Sequence, residues 1–301
     1  MWRIGGASVT IVCDRQRTCP RPAGQYMTSV ESFPMRASAL GLPGFPGSPA
    51  PNGGPGDHIM GAVVQAWLTR HPVQRWGESW ADRGSMRLRF REHLSVGTPL
   101  SMVVTHGTEL TFKVLAVDAG ADATLFADGG AGLSPAGEGQ GLRPLPIVSA
   151  GEPVRPWPDR LRSLRLGTFA VGFDADRDLA FAGELADGAW WQARGWAHPA
   201  WLVTGANGLL RQAIAFQDGG YWRHAGIDMH QLRHISSGSD LVFGGHIDEL
   251  FQGPRHRFAV ARVQIDIAGE VAAVLRVTFV YGAALAEDGA AASTGQPRPD
   301  G

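Results

Sequence analysis

His198 stands immediately before Pro199 at the head of an apolar, helix-like run, Pro199–Phe216, and Asp187 and Glu184 lie upstream in the segment that leads to it. An imidazole there, with a carboxylate behind it, has the parts of an oriented acid–base group. Backbone N–H groups at a helix start can also polarise a nearby carbonyl. A histidine before proline at a helix start equally suits capping or packing. Asp57, followed by His58, heads the other apolar helical run, Ile59–Leu68, and reads either as a second site carboxylate or as an N-cap. Asn207 interrupts the second run and needs a polar partner, which a ligand channel or a neighbouring strand would supply. His224, His230 and His234 fall at even spacing in one strand-like run, so their side chains are expected to share a face. A strand spreads i and i+4 too far apart for a single ion, and no cysteine or carboxylate cluster adds ligands, so no metal site is expected. No Walker or Gly-x-Gly-x-x-Gly pattern joins a strand to a helix, and no Gly-x-Ser-x-Gly elbow is present.

The elements that must position these groups are repeated. Arg91–Leu100 lines up on Leu232–Leu241, with His, Ser, Gly and Leu recurring in order at one separation (234 − 93 = 236 − 95 = 238 − 97 = 241 − 100 = 141). Each copy follows an apolar helix-like run. A period this long means a duplicated domain rather than a solenoid. After the first helix, which His71-Pro72 should close, strand-like runs occur at Met86–His93, Leu100–His106, Glu109–Val117 and Ala123–Ala127. After the second helix they occur at Tyr221–Ile235, Leu241–Leu250, Arg257–Ile267 and Val271–Tyr281, and Leu166–Phe173 precedes it. Gly205 and Gly208 lower helix propensity but permit a close helix–sheet approach. One apolar helix and a run of antiparallel strands, used twice, predict an α+β double hot-dog: two central helices, each wrapped by an antiparallel sheet. The expected organisation is an N-terminal extension or sequence upstream of the true start (1–27), a first unit (28–135), a Gly/Pro-rich linker (136–160), a second unit (161–285) and a loose tail (286–301).

Composition narrows the class. The 301 residues carry 27 basic and 28 acidic side chains, a formal charge of −1, so nothing draws the whole chain to nucleic acid or an anionic membrane. Lys113 is the only lysine. Arginine for lysine reflects a GC-rich genome or suits a phosphate-bearing ligand. Cys13 and Cys19, close together, build neither a disulfide framework nor a zinc site. No run is long enough for a membrane span, and the start lacks a cleavage site, so a cytoplasmic protein is expected. Ten tryptophans, several near the second helix start, suit a large apolar wall.

Several segments resemble the MaoC-like dehydratase and hydratase superfamily. Phe90-Arg-Glu-His93 before Gly97 is similar to its "RF-x-x-P-x-x-x-G-D-x-L" stretch. Trp196-Ala-His198-Pro199-Ala-Trp-Leu, Ala206-Asn207 and Gly220-Tyr-Trp222-Arg-His224-Ala-Gly226 are similar to its "HPA" helix start, "AN" and "W-x-H-x-G-S" strand. The likeness covers roughly residues 30–283. It implies a site in a loop before a central helix, where an Asp and a His hold the water that adds to an enoyl thioester. The matching stretch is Val30–Arg36, in which Glu31 replaces the aspartate, Phe33 the asparagine and Arg36 the histidine. Glutamate can act as a base, but arginine does not release its proton. The usual dyad is therefore not preserved.

The resemblance implies an acyl-thioester binding protein, with an enoyl-CoA hydratase or dehydratase activity from a rebuilt site. The catalytic candidates are His198, Asp187, Glu31 and Asp57; the substrate-binding candidates are Asn207, Trp222, His224 and Gly226. No cofactor is expected, the coenzyme A or carrier-protein thioester being the substrate. The alternatives are a non-catalytic partner subunit of a hetero-oligomeric hydratase, or an acyl-CoA thioesterase. A hot-dog partner subunit or a homodimer is the expected assembly.

Overall fold

The computed structural model describes residues 9–10, 27–34, 61–92, 99–116, 123–135, 139, 141–172, 176, 182–183, 185–216 and 223–284. The first half consists of β1 (Val9–Thr10), β2 (Met27–Pro34), α1 (Gly61–Leu68), α2 (Arg70–Trp76), α3 (Glu78–Arg83), β3 (Gly84–Phe90), β4 (Pro99–His106), β5 (Leu110–Ala116) and β6 (Thr124–Leu133). The second consists of α4 (Pro158–Leu161), β7 (Arg165–Gly172), α5 (Gly188–Gln192), α6 (Ala200–Ala213), β8 (Arg223–Gln231), β9 (Asp240–Gln252), β10 (His256–Ile267) and β11 (Glu270–Ala283). The N-terminal extension apart from Val9–Thr10 and Met27, Arg36, and the tail lie outside the described residues.

All strands join one antiparallel sheet in the order β1-β2-β4-β5-β6-β3-β8-β11-β10-β9-β7. Leaving out the short β1, the order is a palindrome of two identical units: first, third, fourth, fifth and second strand, then the same backwards. The seam is β3 against β8, where Met86 faces Met229 and Leu88 faces Ile227. The repeat spacing survives in the backbone, since β3 ends and β4 begins 141 residues before β8 ends and β9 begins (231 − 90 = 240 − 99 = 141).

Each unit buries its helix. In α1 every residue but Trp67 is buried, and in α6 the whole run Ala200–Leu210 is. A helix apolar on all sides must be enclosed, and here the sheet and the other helix enclose it, since α1 and α6 pack on each other. Gly205 sets how closely α6 approaches β9, because a Cβ there would lie 2.1 Å from the Phe243 ring.

Two expectations needed changing. The helix does not stop at His71-Pro72. Thr69 breaks α1, its hydroxyl donating back to the Gln65 carbonyl at 2.9 Å, and α2 restarts with Pro72 in its first turn, where the missing N–H is no loss. β6 also runs on to Leu133 instead of breaking at Gly129. Cβ atoms on Gly129 and Gly130 would lie 1.9 Å and 2.6 Å from the Arg87 and Leu110 carbonyl oxygens, so these glycines let β6 fit between β3 and β5.

Residues 143–150 strap the outer face of the second unit. The Leu145 N–H donates to Asp266 Oδ2 at 3.0 Å, Gln264 Nε2 to the Arg143 carbonyl at 2.9 Å and the Thr168 N–H to the Val148 carbonyl at 2.9 Å.

Candidate active site

Ile227 and Met229 of β8 face the helices, and regular alternation would turn His224 away from them. A β-bulge at Ala225 prevents this, because Thr278 pairs with Gly226 while the next residue, Phe279, pairs with His224. The extra residue reverses the strand's parity, and His224 points inward and is buried. There its Nε2 lies 2.7 Å from Asn207 Oδ1 on α6. An amide oxygen only accepts, so Nε2 carries the proton and Nδ1 keeps its lone pair.

Nδ1 faces the start of α1, where a Cβ on Gly61 would come within 2.8 Å of it and 2.7 Å of the Phe90 ring. The Phe90 ring stacks on the imidazole, centroids 6.4 Å apart and planes 18° off parallel. Burial, reinforced by the charge of Arg211 one helical turn beyond Asn207, lowers the His224 pKa to about 4. Burial also lowers that of Arg211. The result is a neutral imidazole at the seam, held by one half (Asn207) against two elements of the other (Gly61 and Phe90).

His198 and Asp187 meet at the head of α6. His198 Nδ1 accepts the Ala200 N–H at 3.1 Å, a side-chain cap, while Nε2 lies 3.6 Å from Asp187 Oδ2. The same oxygen accepts the Trp191 indole N–H at 2.9 Å. Burial alone would raise the Asp187 pKa, but the His198 ring and the Trp191 indole outweigh it and hold it below the ordinary value. Both side chains are fully enclosed, with Trp191 packed edge-on to the imidazole.

The remaining candidates are scattered. Gly226 lies beside Arg89, whose Nη1 would be 2.9 Å from a Cβ there, and serves the packing of the seam. Glu31 sits on β2 opposite Met102, with β4, β5, β6 and β3 between its strand and β8. Asp57, Trp222 and Glu184 lie outside the described residues. The three evenly spaced histidines do not share a face. The bulge turns His224 inward, His230 pairs with Ser134 Oγ at 3.2 Å, and His234 lies past the strand end, stacked on Trp196 and 2.6 Å from Asp82 Oδ1. Among the described residues no group of three His, Cys, Asp or Glu side chains is placed to hold a metal, and no helix is long and apolar enough to cross a membrane. Gly61 and Arg211 escaped the sequence reading and Phe90 entered it only as part of a family-like stretch, not as a site residue; of these, Arg211, four residues after Asn207 on a helix, carried a signal in its spacing.

No protein-family model matches the chain, and no curated protein matches it. Solved structures do. The dehydratase domain of the polyketide PpsC from Mycobacterium tuberculosis is 16% identical, with 85% of this chain and 94% of that one covered and a TM-score of 0.50. The same PpsC domain in complex with C12:1-CoA matches at 15% identity, 84% and 94% coverage and a TM-score of 0.50. The CurK dehydratase matches at 11% identity, 89% and 97% coverage and a TM-score of 0.54. A MaoC-like dehydratase matches at 15% identity, 82% and 88% coverage and a TM-score of 0.50. The class is therefore a double hot-dog, as the repeat predicted, similar in fold to polyketide synthase dehydratase domains and to a MaoC-like dehydratase.

Proposed function

We propose that the chain binds an acyl thioester at the seam between its halves and activates water there through His224. The observation that carries this reading is the buried, neutral imidazole fixed by Asn207, with its lone-pair nitrogen directed at the start of α1. A thioester carbonyl set against the first backbone N–H groups of α1 is polarised by them, and His224 Nδ1 takes the proton of an attacking water. The PpsC domain's complex with C12:1-CoA supports a thioester as the kind of ligand this fold accepts.

The amide partner favours hydrolysis. Water adds to the carbonyl carbon, the C–S bond breaks, and the proton held by His224 passes to the sulfur, giving an acid and a free thiol. A thiolate is a good leaving group, so one acid–base group suffices. Dehydration must expel hydroxide, which calls for an acid besides the base that takes the α-proton, and Asn207 cannot supply one. His198 and Asp187, both enclosed, act in this reading as positioning residues that cap α6 and so hold Asn207.

The test uses acyl- and trans-enoyl-pantetheine thioesters, following free thiol and the ultraviolet band of the conjugated thioester. Thiol release reduced about 100-fold or more in His224→Ala supports the proposal. Loss of the enoyl band without thiol release makes the reaction hydration. Binding without turnover makes the chain a partner subunit, and absence of both removes the reading.

A further inference from the structure

A groove of about 520 Å³ crosses the outer face of the sheet over β3, β8, β11, β10 and β9. Five arginines line it, Arg89, Arg91, Arg223, Arg255 and Arg276, against Glu92, Asp228 and Glu249. Most of these charges are matched. Arg89 makes two hydrogen bonds to Asp228, Arg91 two to Asp128, and Arg276 lies 3.6 Å from Glu249. Arg223 and Arg255 have no carboxylate partner among the described residues. Their field is felt by a neighbour: the pKa of His256 is lowered by burial first and then by these two guanidiniums.

The groove also has an aromatic wall. Phe251 and Phe258 stack with centroids 4.9 Å apart and planes 11° off parallel, and Phe251 remains 41% exposed. Gly253 at the turn keeps this wall in place, since a Cβ there would lie 2.8 Å from the Phe258 ring. Two unmatched guanidiniums beside an exposed ring suit a ligand that joins phosphates to a flat base. Phe90 also lines the groove, and its ring stacks on His224. Phe90 thus touches both the groove and the candidate site.

We propose that this groove binds the nucleotide end of a coenzyme A thioester, with Arg223 and Arg255 on its phosphates and Phe251 against its adenine. The inference rests on the acyl-thioester reading and specifies its carrier as coenzyme A rather than a protein. Calorimetric titration with adenosine 3′,5′-bisphosphate tests it on the whole chain. The nucleotide should bind, compete with coenzyme A, and lose about tenfold or more in affinity in Arg223→Ala, Arg255→Ala and Phe251→Ala alike. Lys113→Ala, an exposed charge elsewhere on the sheet, should bind as the parent does. Equal affinity in an Arg223→Ala/Arg255→Ala double variant that melts like the parent would overturn the proposal. So would an absence of nucleotide binding with acyl-carrier protein binding that is lost in Arg223→Glu, which would transfer the groove to an acidic carrier protein. Pantetheine thioesters lack the nucleotide, so their turnover without nucleotide binding removes the groove and keeps the reaction. Nucleotide binding without pantetheine thioester binding or turnover does the reverse.

Discussion

Gln65 on α1 and Asn207 on α6 occupy nearly corresponding places in two units of the same strand order, one residue off the repeat spacing (207 − 65 = 142). Their surroundings have diverged. Asn207 Oδ1 receives an imidazole N–H at 2.7 Å, whereas Gln65 offers its amide to the Met229 sulfur at 3.1 Å and buries Oε1 with no hydrogen-bond partner. The bulge that turns a histidine inward is in β8; the corresponding strand β3 pairs with β6 and β8 without a register shift. Duplication let the helix of one unit keep a polar pair while the other became mainly a wall. A homodimer of one unit would have to carry both arrangements or neither.

The largest expected effect separates the halves through acid. Each half buries a histidine whose pKa is pushed far down: His71 in the first, held at about 3 by burial and then by Arg70, and His224 in the second, at about 4 by burial and then by Arg211. Unfolded, both titrate near 6.5. Above that pH neither state takes up the proton. Below it the unfolded chain does while the folded chain resists, so stability falls until about pH 4 for His224 and about pH 3 for His71. Between pH 7 and pH 5 the two together remove about 4 kcal/mol. Urea titrations across that range should show the loss, with His71→Gln cancelling only the first half's share. A flat profile would mean that neither ring is shielded.

Mirror-image substitutions sharpen the contrast next. Asn207→Leu leaves a buried imidazole N–H without its acceptor and costs about 1–3 kcal/mol. Gln65→Leu removes an oxygen that has no partner and should leave the melting temperature unchanged or slightly raised. Equal losses in the two variants would make the helices equivalent and defeat the assignment of the site to the second.

Much of the fold was legible because duplication writes itself as spacing. The His-Ser-Gly-Leu match marked the turn between second and third strands of each unit, and the strand ends confirm that separation. The pairing of His224 with Asn207 was not legible. It depends on one extra residue at Ala225, and a bulge leaves no mark in a strand-like run of this composition. Gly129 and Gly130 misled for a related reason: glycine signals a break, while here it serves close packing inside a strand. His198 and Asp187 were legible as a pair because Asp187 lies in the segment leading to the helix that His198 heads, although their enclosure follows from Trp191 closing over them.

The seam provides the smallest effect and the most direct evidence of divergence. Arg87 and Asp228 face each other in the β3–β8 register and are also separated by the repeat spacing, so each half contributes the same position to the pseudo-twofold axis. In a homodimer that position would meet its own copy, arginine against arginine or aspartate against aspartate. The duplicated chain has an ion pair of 3.0 Å instead, with Arg89 closing on the same carboxylate at 2.9 Å. Arg87 is 72% exposed along its side chain and Asp228 only 16%, so solvent screens the pair and its contribution is about 1 kcal/mol. Arg87→Asp recreates the homodimer's like-charge contact at the exposed end and should cost about that much. Asp228→Arg should cost more, because it also strands Arg89. The reciprocal swap of both residues should recover part of the loss in a double-mutant cycle followed by urea denaturation. Purely additive losses would show that the axis has no preference for unlike residues, and that the divergence of the halves is confined to their helices.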